Sequence, residues 1–191
     1  MKKVLLLLLV LFVAGGLAFS ADLMNFPPSL DGGNILIDVG LGFALAPKKD
    51  TSMKVPPIVL SAEYCLPSGV PISVGGLIGF YQYEYRYKDP GAHVPWVETL
   101  TFLTFGARAN WHWNIDIGID WIDLYTGIFF GYTNFSWSSN SSPYSGYVQD
   151  AHGGLNFGGQ AGAHLYFTNR FGAVVELGYP FVAKAGLAIK F

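Results

Sequence analysis

The sequence predicts an all-β fold, an eight-stranded antiparallel up-and-down transmembrane β-barrel, and three observations carry the prediction. Apolar and polar residues alternate with period two through eight successive segments. Each segment runs for about ten residues, enough to cross an apolar layer at a tilt. Charged residues make up only 13% of the chain against 51% hydrophobic and 16% aromatic, too few charges to cover a water-facing surface.

The first element is an export signal. Lys2 and Lys3 form a positive head, 4–19 an apolar run, and Ala18 and Ser20 the small residues a signal peptidase accepts, so cleavage is expected after Ser20. That run of about 16 residues is shorter than the roughly 20 a spanning helix needs. Residues 21–33, with Pro27, Pro28 and a Gly pair, have no period and read as a lead-in segment; 34–191 form the barrel domain.

Strand one sets Ile35, Ile37, Val39, Leu41, Phe43 and Leu45 against Asp38, Gly40, Gly42 and Ala44, and strand two sets Ile58, Leu60, Ala62 and Tyr64 against Val59, Ser61, Glu63 and Cys65. In strand three Leu77 and the tyrosines 81, 83, 85 and 87 oppose Gly76, Ile78, Phe80, Gln82, Glu84 and Arg86. Strand four places Leu103, Phe105, Ala107, Ala109, Trp111 and Trp113 opposite Thr104, Gly106, Arg108, Asn110 and His112. The fifth, 122–135, is less regular, because Tyr125, Phe129 and Phe135 share a face with Asp123 and Gly127. Strand six opposes Leu155, Phe157, Leu165 and Phe167 to Gln160 and His164; strand seven opposes Phe171, Val175, Leu177 and Tyr179 to Glu176; strand eight opposes Leu187, Ile189 and Phe191 to Lys184, Gly186 and Lys190. The parity of strand four runs on through Ile115, Ile117, Ile119 and Trp121, so the pattern does not fix the turn near 114–121.

The apolar face carries rows of rings, whereas the polar face is mostly Gly, Ala and isolated charges, which favours hydrocarbon over water outside the barrel. With the N-terminus in the periplasm, Tyr64, Trp111, Trp113, Phe167, Phe171 and Phe191 gather at one rim and Tyr83, Tyr85, Tyr87, Tyr132 and Tyr179 at the other, as two aromatic girdles. Connections at 66–70, 114–120 and 168–170 are short and those at 47–57, 88–98 and 138–152 long, which places the long ones outside the cell.

The C-terminal residues Lys184, Gly186, Ile189 and Phe191 match the pattern polar, any, Gly, any, any, apolar, any, Phe. This resembles the β-signal of bacterial outer-membrane barrels, and the hairpin 164–179 is similar to the penultimate hairpin of small barrels of the OmpA, OmpX and OmpW type. The resemblance implies an outer-membrane location and recognition of the last strand by the barrel assembly machinery.

Inward parity collects Asp38, Glu63, Glu84, Asp123 and Glu176 with Arg86, Arg108, Lys184 and Lys190, plus His112 and His164. Five acids against four bases suit a plug of ion pairs, since buried charges persist when paired. The small inward glycines leave room for a narrow passage instead, and inward Phe80, Phe102, Phe129 and Phe135 suit an apolar solute entering from outside, as the OmpW type implies. Lipid A modification is a third reading, for which His93, His152 and the hydroxyls of 136–145 supply groups without a dyad spacing.

A net charge of −2 without a basic stripe excludes nucleic acid as a partner, and the single Cys65 excludes an internal disulfide or a cysteine-based zinc site. Neither a metal nor a cofactor is expected, nor catalysis. The expected partners are outer-membrane lipid, the assembly machinery and a host or envelope ligand at the outer loops, for a monomer with a structural or adhesin-like role.

Overall fold

The computed structural model describes residues 27, 29–44, 51–67, 69–87, 96–114, 120–139 and 152–191. The signal peptide, the turn at 115–119, His93 and the loop segments 45–50, 88–95 and 140–151 lie outside the described residues. Eight strands follow in order: β1 (Ile35–Phe43), β2 (Thr51–Cys65), β3 (Ile72–Tyr87), β4 (Trp96–Trp113), β5 (Ile122–Ser139), β6 (His152–Tyr166), β7 (Phe171–Gly178) and β8 (Ala183–Lys190). Each pairs antiparallel with its neighbour, and β8 closes on β1. Closure matters energetically, because it leaves no edge strand with unpaired backbone groups, the one way a sheet survives in hydrocarbon.

The seam between β1 and β8 runs from Leu36↔Lys190 to Phe43↔Ala183 and passes through the pair Gly40↔Gly186. A Cβ on Gly186 would lie 2.2 Å from the Val39 carbonyl oxygen, and one on Gly40 would lie 2.6 Å from that of Ala185. The two backbones therefore meet where only hydrogen fits.

Strands β2 to β6 run further than the alternation alone predicts. Residues 51–57, assigned to a loop from the sequence, belong to β2, with register shifts against β3 between Met53 and Val55 and between Val55 and Ile58. Pro56 and Pro57 sit in that irregular stretch, where the ladder does not require their missing N–H groups. Residues 96–98, 138–139 and 152, also assigned to loops, likewise extend β4, β5 and β6. Strands β1, β7 and β8 are eight or nine residues long against fifteen to eighteen for β2 to β6. One side of the barrel thus rises as a tall wall over the other.

Outward positions are the apolar ones on seven of the strands. Val39, Leu60, Phe105, Phe130, Phe157, Leu177 and Leu187 are all exposed, while their sequence neighbours turn inward. The eighth, β3, is the exception. Its lower part sends Val74, Ile78 and Phe80 outward and buries Leu77, the reverse of the expected parity.

Candidate functional site in the barrel interior

All eight strands contribute a polar side chain to one buried cluster. Arg108 on β4 is its centre: its Nε lies 3.0 Å from Glu63 Oε1 on β2, and its Nη2 donates to Glu176 Oε2 on β7 at 2.6 Å. Tyr125 on β5 donates to the same Glu176 oxygen at 2.7 Å. Lys184 Nζ on β8 stands 3.4 Å from Glu176 and 3.6 Å from Asp38 on β1. Asp38 accepts from Ser61 at 3.1 Å and meets His164 Nε2 on β6 at 3.2 Å. His164 Nδ1 reaches Asp123 at 2.8 Å, Asp123 reaches His112 Nδ1 at 2.9 Å, and His112 Nε2 reaches Ser73 on β3 at 2.9 Å. Ser73 donates to Glu63, which also accepts from Asn110 at 2.7 Å. The chain of contacts thereby closes on itself.

Every carboxylate of this ring meets a basic side chain. Asp38 faces His164 and Lys184, Asp123 faces both His164 and His112, Glu63 faces Arg108, and Glu176 faces Arg108 and Lys184. Both nitrogens of His164 stand against carboxylate oxygens, and His112 reaches Asp123 through Nδ1 and the Ser73 hydroxyl through Nε2. Such pairing is what a desolvated cluster requires.

Apolar layers lie on both sides of the ring. At the end where β1 begins and β8 finishes, Leu30 of the lead-in packs with Leu36, Cys65 and Tyr166, all buried. Ser29 anchors that segment: its hydroxyl donates to the Ile122 carbonyl at 3.3 Å, and its own carbonyl accepts from Lys190 Nζ. Lys190 also stands over the Tyr166 ring, 4.8 Å from its centre. Towards the opposite end Ala44, Val59, Leu77, Phe129 and Phe181 form a second apolar cluster, with Tyr81 and Tyr179 against it. Phe181 enters from the short β7–β8 connection.

Of the residues expected in the lumen network, Asp38, Glu63, Arg108, His112, Asp123, His164, Glu176 and Lys184 meet in the ring, and Lys190 lies inside but apart from it. Glu84 and Arg86 do not. They share the outward parity of Ile78 and Phe80 on β3, where Arg86 Nε donates to Glu84 at 2.5 Å and Lys54 approaches Glu84 at 4.0 Å. Phe80, expected inside, is likewise exposed on the outer face, whereas Phe102 stacks on Tyr81 within, their centroids 4.7 Å apart. The ring also holds Ser73 and Tyr125, which the sequence left unassigned. Tyr125 was legible from its inward parity; Ser73 lies before the point where the alternation of β3 becomes visible.

The girdles need a similar correction. Tyr64, Phe167, Phe171 and Phe191 are exposed at the terminal rim, with Trp111 and Trp113 beside each other at 6.2 Å, and Trp121 joins them from outside the expected set. At the other rim Tyr132 faces outward next to Phe105. Tyr83 is buried inside and donates to the Ala44 carbonyl at 2.5 Å, Tyr85 shares its parity, and Tyr179 packs on Phe129. The backbone of Tyr87 pairs with Trp96. Tyr81 and Tyr83 of β3 thus line the barrel rather than belt it.

Ser73, His112 and Asp123 follow the order of a hydrolytic triad, but the arrangement cannot work as one. All three have 0% exposure, and the serine proton points at Glu63, away from the imidazole that would have to remove it. Among the described residues no group of three or more His, Cys, Asp or Glu is arranged to hold a metal ion. His152 pairs with Phe135 through its backbone at the start of β6, far along the strand from the buried ring.

No family model matches the chain, and no curated protein matches it in sequence. Its likeness to solved structures is one of shape. Neisserial surface protein A aligns at a TM-score of 0.52 with 14% identity, over 84% of this chain and 98% of that one. The outer membrane protein OprG from Pseudomonas aeruginosa aligns at 0.52 with 10% identity, over 88% and 99%. The attachment invasion locus protein Ail of Yersinia pestis aligns at 0.50 with 13% identity, over 85% and 100%. Closed eight-strand topology, an apolar exterior and this common shape agree: the chain has the fold of the small eight-stranded outer-membrane β-barrels.

Proposed function

We propose that the protein is an exported, integral barrel of the bacterial outer membrane that passes no solute and serves a structural or surface-contact role. The observation that carries this reading is the sequence of three layers inside the barrel: the Leu30 cluster, the ion-paired ring around Arg108 and the Phe129 and Phe181 cluster. A conducting path would have to break ion pairs in the second and displace rings in the third. Outside, apolar side chains from Trp113 to Leu103 on β4 lie about ten residue steps apart, about 33 Å of strand. At a tilt of about 40° that is about 25 Å of height, the size of the apolar band of such barrels. With the end where β1 begins and β8 finishes taken as periplasmic, the tall wall of β2 to β6 stands at the cell surface.

Planar-bilayer recordings test the reading. The folded protein is expected to give no stepwise conductance above that of protein-free membrane; discrete, reproducible channels from the purified monomer refute it.

A second reading is favoured by one observation. On the inner face of the tall wall Tyr81 pairs with Phe102 and Phe102 with Phe135, while Tyr83 pairs with Leu100, an apolar surface of the kind that would receive a small hydrophobic solute. Uptake of such a solute by protein-containing vesicles, without ion conductance, would favour it over the purely structural role. Of the groups named for lipid A modification, His93 and residues 140–145 lie outside the described residues, and the buried Ser73 and His112 of the ring do not supply them.

A further inference from the structure

The outward face of β3, β4 and β5 changes character along its length without a break in the sheet. In the lower rows Ile78, Phe105 and Tyr132 face outward, registered as Ile78↔Phe105↔Tyr132. Phe80, Leu103 and Asn134 make the boundary row. Beyond it come Gln82↔Thr101↔Ser136 and then Glu84↔Thr99↔Ser138. Ser136 and Ser138 are exposed, and Gln82 donates to the Thr101 hydroxyl at 2.9 Å. Lys54 and Arg86, both exposed, flank the last row.

A lipid whose chains pack on Ile78, Phe80, Leu103 and Phe105 necessarily sets its headgroup against the next rows of the same face. Height then discriminates between headgroups. From Phe80 to Arg86 the strand climbs about 20 Å, or about 15 Å at a tilt of about 40°. The headgroup layer of an ordinary phospholipid leaflet is only about 5–8 Å deep. Phospholipid therefore covers the first polar row and leaves the rest bare, whereas a headgroup of several sugars spans them all. The chemistry agrees. Uncharged hydroxyls and amides both donate and accept, as sugar hydroxyls do, and Lys54 with Arg86 outweigh the one carboxylate they meet, Glu84, which leaves net positive charge to suit phosphate.

We propose that this polar sheet face is a docking surface for the sugar and phosphate headgroup of an outer-leaflet glycolipid. The inference rests on the outer-membrane reading above and goes beyond it by naming strands, not loops, as the contact. The probe is purified rough-type lipopolysaccharide of defined core, compared with phosphatidylglycerol at equal concentration, each added to the folded protein in detergent and counted by native mass spectrometry. The wild type is expected to retain lipopolysaccharide at least about tenfold more tightly than phosphatidylglycerol. The variant Thr99→Val/Thr101→Val/Ser136→Ala/Ser138→Ala, which keeps strand propensity and removes four hydroxyls, is expected to lose that preference. Equal retention of the two lipids by the wild type, or an unchanged preference in the variant, overturns the proposal. If the fourfold variant fails to show the heat-modifiable gel shift of a folded barrel, Thr101→Val/Ser136→Ala carries the same test with a smaller expected loss of about threefold. Failure of the wild type to enter phospholipid vesicles at all would instead sink the outer-membrane reading, so the two failures are distinguishable.

Discussion

Replacing Arg108 by methionine is the most direct test of the ring. The guanidinium holds Glu63 at 3.0 Å and Glu176 at 2.6 Å, and none of the three side chains is more than 5% exposed. Methionine fills similar volume, so little of the effect is cavity formation. Glu63 would keep the Ser73 and Asn110 donors, and Glu176 would keep Tyr125 and Lys184, so neither carboxylate is stripped bare. The ring would nonetheless lose the cation that meets two carboxylates in a buried layer, and removing one partner of a buried pair costs about 3–5 kcal/mol. Removing a facing carboxylate offsets part of this: Arg108→Met with Glu63→Gln removes one charge of each sign and is expected to recover about half of the loss. Reversible urea unfolding from phospholipid vesicles, followed by tryptophan fluorescence, reads both numbers. A single variant within about 1 kcal/mol of wild type, or a double variant no more stable than the single, would refute the paired-ring account.

Two further perturbations address the seam and the lower end. Gly186→Val puts a branched side chain where a Cβ would already lie 2.2 Å from the Val39 carbonyl oxygen and 2.5 Å from Gly40 Cα; the expected result is loss of the heat-modifiable folded band on a gel, and a normal band would show that the β1–β8 approach is looser than described. Cys65 has 0% exposure and packs under Leu30, so a membrane-impermeant maleimide should leave the folded wild type unlabelled. Leu30→Ala, which costs about 2–5 kcal/mol of local packing, should raise the labelling rate at least tenfold, and an equal rate in both would show that the lead-in does not seal this end.

The eight-strand pattern was readable because most strands keep one meaning for each parity along their whole visible length. On β4, Trp113 through Leu103 are outward and His112 through Thr104 inward, and each residue type agrees with its side. The ring members Asp38, His112, His164 and Glu176 were legible for the same reason: a charged or polar residue on the face opposite a run of rings has only the interior to go to. Their pairing was not. Which acid meets which base depends on the stagger between strands, and that is set by ladder register and barrel shear, which composition does not encode. The extra length of β2 to β6 was hidden because prolines, serines and threonines replace the apolar alternation there, leaving strands that look like loops.

The reversal on β3 has a single physical cause. Below Phe80 the outer face touches the apolar band and the inner face the ring, so outward residues are apolar and Ser73 and Gly75 point in. Above it the outer face is polar, with Gln82, Glu84 and Arg86, while Tyr81 and Tyr83 point in and pack with Phe102. The backbone parity never changes; the medium on each side does. Because the tyrosines outnumber the short apolar run of Val74, Ile78 and Phe80, a single hydrophobic face assigned to the whole strand follows the tyrosines and inverts the lower half. A strand that crosses a boundary between media has to be read in two parts, and the point where its polarity inverts, here between Phe80 and Gln82, marks the boundary itself. The same switch occurs at Leu103 and Thr101 on β4 and at Tyr132 and Asn134 on β5, and neighbouring strands agree on its position through their register. Three independent strands turning over within one row of one another is the behaviour expected of a planar interface outside the protein, and no arrangement of the interior alone requires it.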